Sequence, residues 1–345
     1  MNDRDRSPTG DRPEVEAFVA GLPKVELHLH LEGSMRLHTR RALAERHRTG
    51  LAVRPEGVPF HDFDGFIDAF IEGLSLLRDA TDLVTIIADM AADLAANTVR
   101  YAEVTTTAWL HLHDGKMTPE AYREALAEGR ALARREHGVE LAWVIDIPRG
   151  FETPAETFTA AFLESPNCPE ATVAIGLGGP EIGYPAGNYA ASFARAAALG
   201  LKRVPHGGET AGSTYVTDCL ERLHADRIGH GVMALQDPLV VAELVRRQVP
   251  LEVCPTSNVL LKVATDLDNH PLAELRQAGV RVTLATDDPG YFDVDLNREL
   301  VLAHHHGGMS TEDLRAMELD SVAVSFLDPG AKARLSAEIS AYQQV

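Results

Sequence analysis

Three histidines and one aspartate, His28, His30, His206 and Asp287, are residue types that together can hold one metal ion. His28 and His30 lie in Val25-Glu26-Leu27-His28-Leu29-His30. Strand side chains alternate faces, so residues two apart project to one side and both imidazoles reach one site. His206 lies in Pro205-His206-Gly207-Gly208-Glu209, and Asp287 follows the apolar stretch Val282-Thr283-Leu284-Ala285-Thr286. Three imidazoles and a carboxylate suit zinc, with a position left for water. That set points to metal-assisted hydrolysis rather than to binding alone.

Something must bring these four residues together from positions 28 to 287. Eight short β-rich runs recur along the chain: Val25–His30, Val99–Thr106, Leu141–Ile147, Thr172–Leu177, Arg203–His206, Arg227–His230, Leu251–Cys254 and Val282–Thr286. Helix-like segments separate them. Thr81–Asn97 carries Leu83, Ile86, Ile87, Met90 and Leu94 at helical spacing. Pro119–His137 is rich in helix formers, and Pro238–Arg247 and Pro271–Gly279 each start at proline, a favoured first-turn residue.

Strands alternating with helices predict an α/β fold, a (β/α)8 TIM barrel with a helical insertion after the first strand. A doubly wound open sheet is the alternative, but it gathers ligands at one switch point. Here the polar residues fall at the C-terminal ends of the first, fifth, sixth and eighth runs, which a closed barrel unites. The long connection from Arg36 to Asp82 holds Phe60-His61-Asp62-Phe63-Asp64-Gly65-Phe66. Short helices over the barrel mouth are expected there, with Phe63 and Phe66 in the pocket wall or in plain packing.

Composition sets the outer bounds. The 345 residues are 45% hydrophobic and 24% charged, with a formal net charge of −19. Such a surface argues against nonspecific nucleic-acid binding. Three cysteines, Cys168, Cys219 and Cys254, are odd in number and widely spaced, as free thiols in a reducing, cytoplasmic compartment would be. No apolar signal region follows the charged start, and no stretch is long enough to cross a bilayer. Residues 1–12 are expected to be a disordered tail and residues 13–345 one domain. Oligomeric state is left open.

The segments Pro23-Lys24-Val25-Glu26-Leu27-His28-Leu29-His30-Leu31-Glu32-Gly33, His206-Gly207-Gly208-Glu209, Arg227-Ile228-Gly229-His230-Gly231, Cys254-Pro255-Thr256-Ser257-Asn258 and Thr286-Asp287-Asp288-Pro289 resemble, in order and spacing, the adenosine deaminase family of the amidohydrolase superfamily. The resemblance implies a (β/α)8 barrel with one zinc ion per chain. His28, His30, His206 and Asp287 would bind it. Glu209 would hand a proton to the purine N1, and His230 would orient the attacking water. Asp288 would hydrogen-bond N7, Gly179 would present its N–H to N3, and Glu32 would face the sugar end.

The implied reaction is hydrolytic deamination of a 6-aminopurine nucleoside to the 6-oxopurine and ammonia. Zinc lowers the pKa of water from about 15.7 to about 7, and a glutamate in a closed pocket has a pKa raised enough to carry a proton. Two departures bear on substrate. Glu32 replaces the aspartate typical of adenosine-specific members. Gly176-Leu177-Gly178-Gly179-Pro180-Glu181 looks more like members acting on 6-amino-6-deoxyfutalosine, a 5′-extended adenosine analogue of menaquinone synthesis. Adenosine, that analogue and adenine remain open as substrates.

A binuclear hydrolase would carry a bridging lysine at the fourth strand, and no lysine occurs from 171 to 201. A non-catalytic nucleoside binder would be expected to have lost a ligand or Glu209, and none is lost. His304-His305-His306 reads as a solvated helix end. His111 and His113 form a second HxH before a turn, read as reaching the far end of a substrate rather than a second metal. Cys254 reads as an inert buried thiol.

Overall fold

The computed structural model describes residues 12–343. Eight parallel strands, β1 Lys24–His30, β2 Val99–Thr106, β3 Glu140–Pro148, β4 Thr172–Gly178, β5 Lys202–Pro205, β6 Ile228–Gly229, β7 Leu251–Val253 and β8 Val282–Leu284, pair in sequence order. β1 to β5 form one hydrogen-bonded run and β6 to β8 another. Two single bridges join the runs into the (β/α)8 barrel, His206 with Gly229 and Leu29 with Asp287. Barrel closure therefore fixes the backbone of two of the expected metal ligands. The His30 N–H donates to the Asp287 carbonyl (2.9 Å), and the Asp287 N–H to that of His28 (3.0 Å).

The strands form where β-branched and aromatic side chains concentrate, as in Tyr101, Val104, Thr105 and Thr106 of β2 or Trp143, Val144, Ile145 and Ile147 of β3. Parallel strands covered on both faces bury nearly every residue. Outside them, the helix Ala80–Ala96 turns Leu83, Ile86, Ile87, Met90 and Leu94 inward. A capping box of Asp79 and Asp82 starts it, a device that stabilises a helix by about 1 kcal/mol. It packs on the helix Pro119–Leu132, where a Cβ on Gly129 would lie 2.6 Å from Ile87. Only glycine permits that approach.

The insertion after β1 contains the helices Leu37–His47 and Phe63–Leu74. Asp62 caps the second by accepting from the Gly65 N–H. Phe66 meets Phe60, Phe63, Phe70, Tyr291 and Phe292, which ties the insertion to the segment after β8. Edge-to-face and tilted aromatic pairs of this kind contribute about 0.5–1.5 kcal/mol each beyond area burial.

Arg227 is the centre of a paired charge network inside the barrel, as burial demands. Arg227 donates from Nε to Glu252 (2.5 Å) and from Nη2 to Glu103. Glu103 also accepts from the Tyr101 hydroxyl (3.0 Å) and the Phe326 N–H (2.6 Å). The guanidinium lies 3.9 Å from the Phe326 ring centre.

Some expectations shift. The expected helix Pro119–His137 is α-helical only to Leu132. A π turn over Ala133–His137 follows and ends at Gly138, whose φ of 69° suits glycine. His304 is buried rather than solvated, because the helix Leu296–Gly307 turns it inward and its Nδ1 meets the Met309 carbonyl at 2.5 Å. His306 is exposed beside Asp268. The tail expected over residues 1–12 lies outside the described residues except Arg12, which opens the helix Arg12–Gly21. No helix among the described residues is long and apolar enough to cross a membrane.

Candidate active site

His28 and His30 leave β1 on the same face, His206 follows β5 and Asp287 follows β8. One donor atom from each lies within 4.8 Å of the others. His30 Nε2 and His206 Nε2 are 3.2 Å apart. Asp287 Oδ1 stands 3.4 Å from His28 Nε2 and 3.3 Å from His30 Nε2.

The donors suit a cation. His28 Nδ1 is 2.9 Å from Glu252 Oε2, which holds a proton on that nitrogen. Its Nε2 is buried inside the cluster and faces Asp287 Oδ1 at 3.4 Å. The Ser257 hydroxyl donates to Asp287 Oδ2 (2.7 Å), which orients the carboxylate. Burial raises the Asp287 pKa, but the His28 imidazole beside it outweighs this and holds the carboxylate ionised. Three imidazoles with a carboxylate are the chemistry of a divalent metal centre. His230, Cys254 and Asp287 form a second possible donor group, but burial pushes the Cys254 thiol well up and keeps it protonated.

Backbone strain concentrates here. Asp287 and His230 adopt φ of 63° and 58°, left-handed values rare outside glycine. Each such residue costs about 1–3 kcal/mol. The closed barrel holds both in place.

Two carboxyls beside the cluster have pKa values raised above the ordinary carboxylate range. Burial, the Asp287 charge and the Glu181 charge push the Glu209 pKa well up. Burial and the adjacent Asp287 do the same to Asp288. A raised pKa favours the protonated form, the form that can donate. His230 Nε2 is 3.7 Å from Glu209 and 3.9 Å from Asp287. Burial pulls its pKa down to about 3, so the imidazole is neutral.

The structure adds residues that the sequence did not single out for this site. Glu181 is wholly buried and accepts from the N–H groups of Glu209 (3.1 Å), Thr210 (2.9 Å) and Ala211 (2.7 Å). It cradles the loop that presents Glu209. The one sequence signal was an acidic residue ending Gly178-Gly179-Pro180-Glu181. Gly33 clears the space of Asp288, since a Cβ there would lie 1.8 Å from Asp288 Oδ1. Glu252 carried no signal, being one acid inside an apolar strand.

One pocket contains His30, His206, Glu209, His230, Asp287 and Asp288, together with Phe63, Phe66 and Gly179. At Gly179 φ is +85° and a Cβ would crowd the Arg149 carbonyl at 3.2 Å. The pocket wall adds Ile67, Phe70, Ile71, Thr107, Leu110, Asp146, Arg149 and Phe151. Glu32 is not among its lining residues. Its Oε1 is taken by His111 Nε2 (2.7 Å), the Thr106 hydroxyl (2.7 Å) and the Thr107 N–H (3.3 Å). The HxH pair splits, His111 buried against Glu32 and His113 exposed beside Trp109.

Comparison with known proteins agrees with this architecture. A family model described as "Adenosine deaminase" matches residues 23–342. An aminodeoxyfutalosine deaminase of Streptomyces avermitilis is 40% identical over 336 residues, 95% of this chain and 93% of the relative. An adenine deaminase of Rhodospirillum rubrum is 33% identical, covering 94% of this chain and 98% of its own length. The crystal structure of adenine deaminase from Arthrobacter aurescens superposes with a TM-score of 0.88 at 30% identity, over 93% of this chain and 98% of that one.

Proposed function

We propose, from the premise that this chain belongs to the adenosine deaminase family and is a hydrolase of C–N bonds in cyclic amidines, that it is a zinc-dependent deaminase of a 6-aminopurine nucleoside. The observation that carries the reading is the placing of two buried carboxyls, Glu209 and Asp288, in one pocket with His30, His206 and Asp287, three of the four convergent metal donors. His28, His30, His206 and Asp287 would hold one zinc. Bound there, zinc supplies a nucleophile from water at neutral pH.

The remaining steps belong to the chain. Asp288 donates to a ring acceptor of the purine and fixes the base in the pocket. Glu209 donates its proton to the ring nitrogen next to C6, where attack at C6 would otherwise leave negative charge. His230, neutral and close to both Glu209 and Asp287, is placed to accept a proton from the attacking water and return it to the departing ammonia. The product is the 6-oxopurine.

A 5′-extended nucleoside such as 6-amino-6-deoxyfutalosine is the first candidate substrate. The relative acting on it shares 40% identity. The pocket also continues into an apolar wall of Phe63, Phe66, Ile67, Phe70, Ile71 and Phe151, more than a bare purine covers. Ile71 and Phe151 are 39% and 41% exposed at its rim. Adenine is the second reading, favoured by the adenine deaminase relative. Values of kcat/KM for ammonia release from 6-amino-6-deoxyfutalosine, adenosine and adenine decide between them. At least a tenfold preference for the extended nucleoside is expected, and a preference for adenine would overturn the nucleoside reading.

A further inference from the structure

The carboxylate that sequence motifs place at the sugar end, Glu32, has its Oε1 bonded to His111, Thr106 and Thr107 and its Oε2 buried without a partner, and it does not line the pocket. A different carboxylate does. Asp146, on β3, is 3% exposed and lines the pocket beside Thr107, Gly178 and Gly179. Its Oδ1 accepts from the Thr107 hydroxyl at 2.6 Å, which fixes the carboxyl plane. Thr107 is its one side-chain hydrogen-bond donor among the described residues.

The neighbouring strand makes room for it. Asp146 pairs in register with Gly176 of β4. A Cβ on Gly176 would stand 2.9 Å from Asp146 Cβ, and one on Gly178 would stand 2.7 Å from Asp146 Oδ2. Both glycines of the Gly176-Leu177-Gly178 stretch thus keep space open over this side chain. Glu209, Asp287 and Asp288, the other carboxyls of the pocket, crowd around the metal donors. Asp146 instead has Thr107, Glu32 and Arg149 as its charged and polar neighbours. A purine with C6 at the metal donors directs its N9 substituent away from them.

We propose that Asp146 is the specificity-determining residue of this pocket, its Oδ2 accepting a hydrogen bond from a ribose hydroxyl of the nucleoside. The inference rests on the nucleoside reading above. It also gives the glycine-rich segment a physical role, since larger residues at 176 or 178 would displace the acceptor.

The test crosses protein and substrate changes. The kcat/KM of wild type, Asp146→Ala and the near-isosteric Asp146→Asn is measured on adenosine, 2′-deoxyadenosine and 3′-deoxyadenosine. Leaving a buried ribose hydroxyl without its acceptor predicts that Asp146→Ala loses about 10- to 100-fold on adenosine. On the deoxy analogue lacking the partnered hydroxyl it should lose less than about threefold, because that bond is already absent. Asp146→Asn should show the same pattern at smaller size, which keeps the test valid if the alanine variant folds poorly. Equal losses on all three substrates with an active wild type would overturn this inference alone. A wild type inactive on all three and on 6-amino-6-deoxyfutalosine would overturn the nucleoside reading and the inference with it.

Discussion

Replacing Glu252 by glutamine should weaken metal binding without touching any proposed metal donor. Glu252 Oε2 stands 2.9 Å from His28 Nδ1, and Oε1 accepts from Arg227, itself bonded to Glu103. All four side chains are nearly or wholly buried. Burial alone would lower the His28 pKa, but the contacts with Asp287 first and Glu252 second raise it to about 10, so Glu252 is one of two carboxylates that support the imidazole. Losing such a partner behind a ligating histidine costs 10- to 100-fold in metal affinity, or about 1.4–2.8 kcal/mol. Stability should fall too. Breaking a buried ion pair outright costs about 3–5 kcal/mol, and Glu252→Gln should cost less because an oxygen acceptor and Glu103 both remain. The assay is competition for zinc against a chelator of known affinity, with circular dichroism to confirm folding. At saturating zinc, activity should return to within a fewfold of wild type. A folded variant with unchanged zinc affinity would refute the reasoning.

Glu209→Gln should lower kcat by about 10² to 10⁴, the usual size of a general acid's contribution, while zinc content measured by mass spectrometry stays at the wild-type level; reduced activity with lost zinc would instead make it structural. Gly33→Ala drives a Cβ into Asp288, so KM should rise and kcat fall with thermal stability also lowered; wild-type kinetics would show that Asp288 does not need that position. Glu299 is buried, accepts from the Thr256 N–H at 3.0 Å, and burial pushes its pKa up to about 8. The folded state then holds a proton that the unfolded state releases, so this contribution to stability is full below about pH 4.5 and is lost as pH rises through about 8. Denaturant titrations across that window should show a shallower loss for Glu299→Gln, by on the order of a few kcal/mol; identical pH slopes would count against it.

The barrel was legible because its strands are apolar runs that end in polar residues, a pattern local to each run. The helix over 80–96 was legible for the same reason, through its spacing of Leu83, Ile86, Ile87, Met90 and Leu94. Strand five starts and ends one residue before its run, and strands six to eight proved shorter than theirs, because the chain turns out of the sheet where the polar residues begin, leaving His206 and Asp287 as single bridges. The grouping of His28, His30, His206 and Asp287 was also readable, since each ends a strand. What supports them was not. Glu252 and Ser257 act on His28 and Asp287 through contacts between segments far apart in sequence, as Glu181 does on the Glu209 loop, and such contacts exist only after closure. Glu32 shows the converse: its motif position was clear, but His111 and Thr106, which occupy it, arrive from the end of β2. His304 is similar, since only the packing of its helix hides it.

The central claim is a single metal centre that makes this chain a nucleoside deaminase. Protein stripped with a chelator and titrated with zinc, with ammonia release from the preferred nucleoside followed at each addition, tests it most directly. Activity should rise from near zero and level off at one equivalent per chain. Activity in the stripped protein, or a break at two equivalents, would contradict the account.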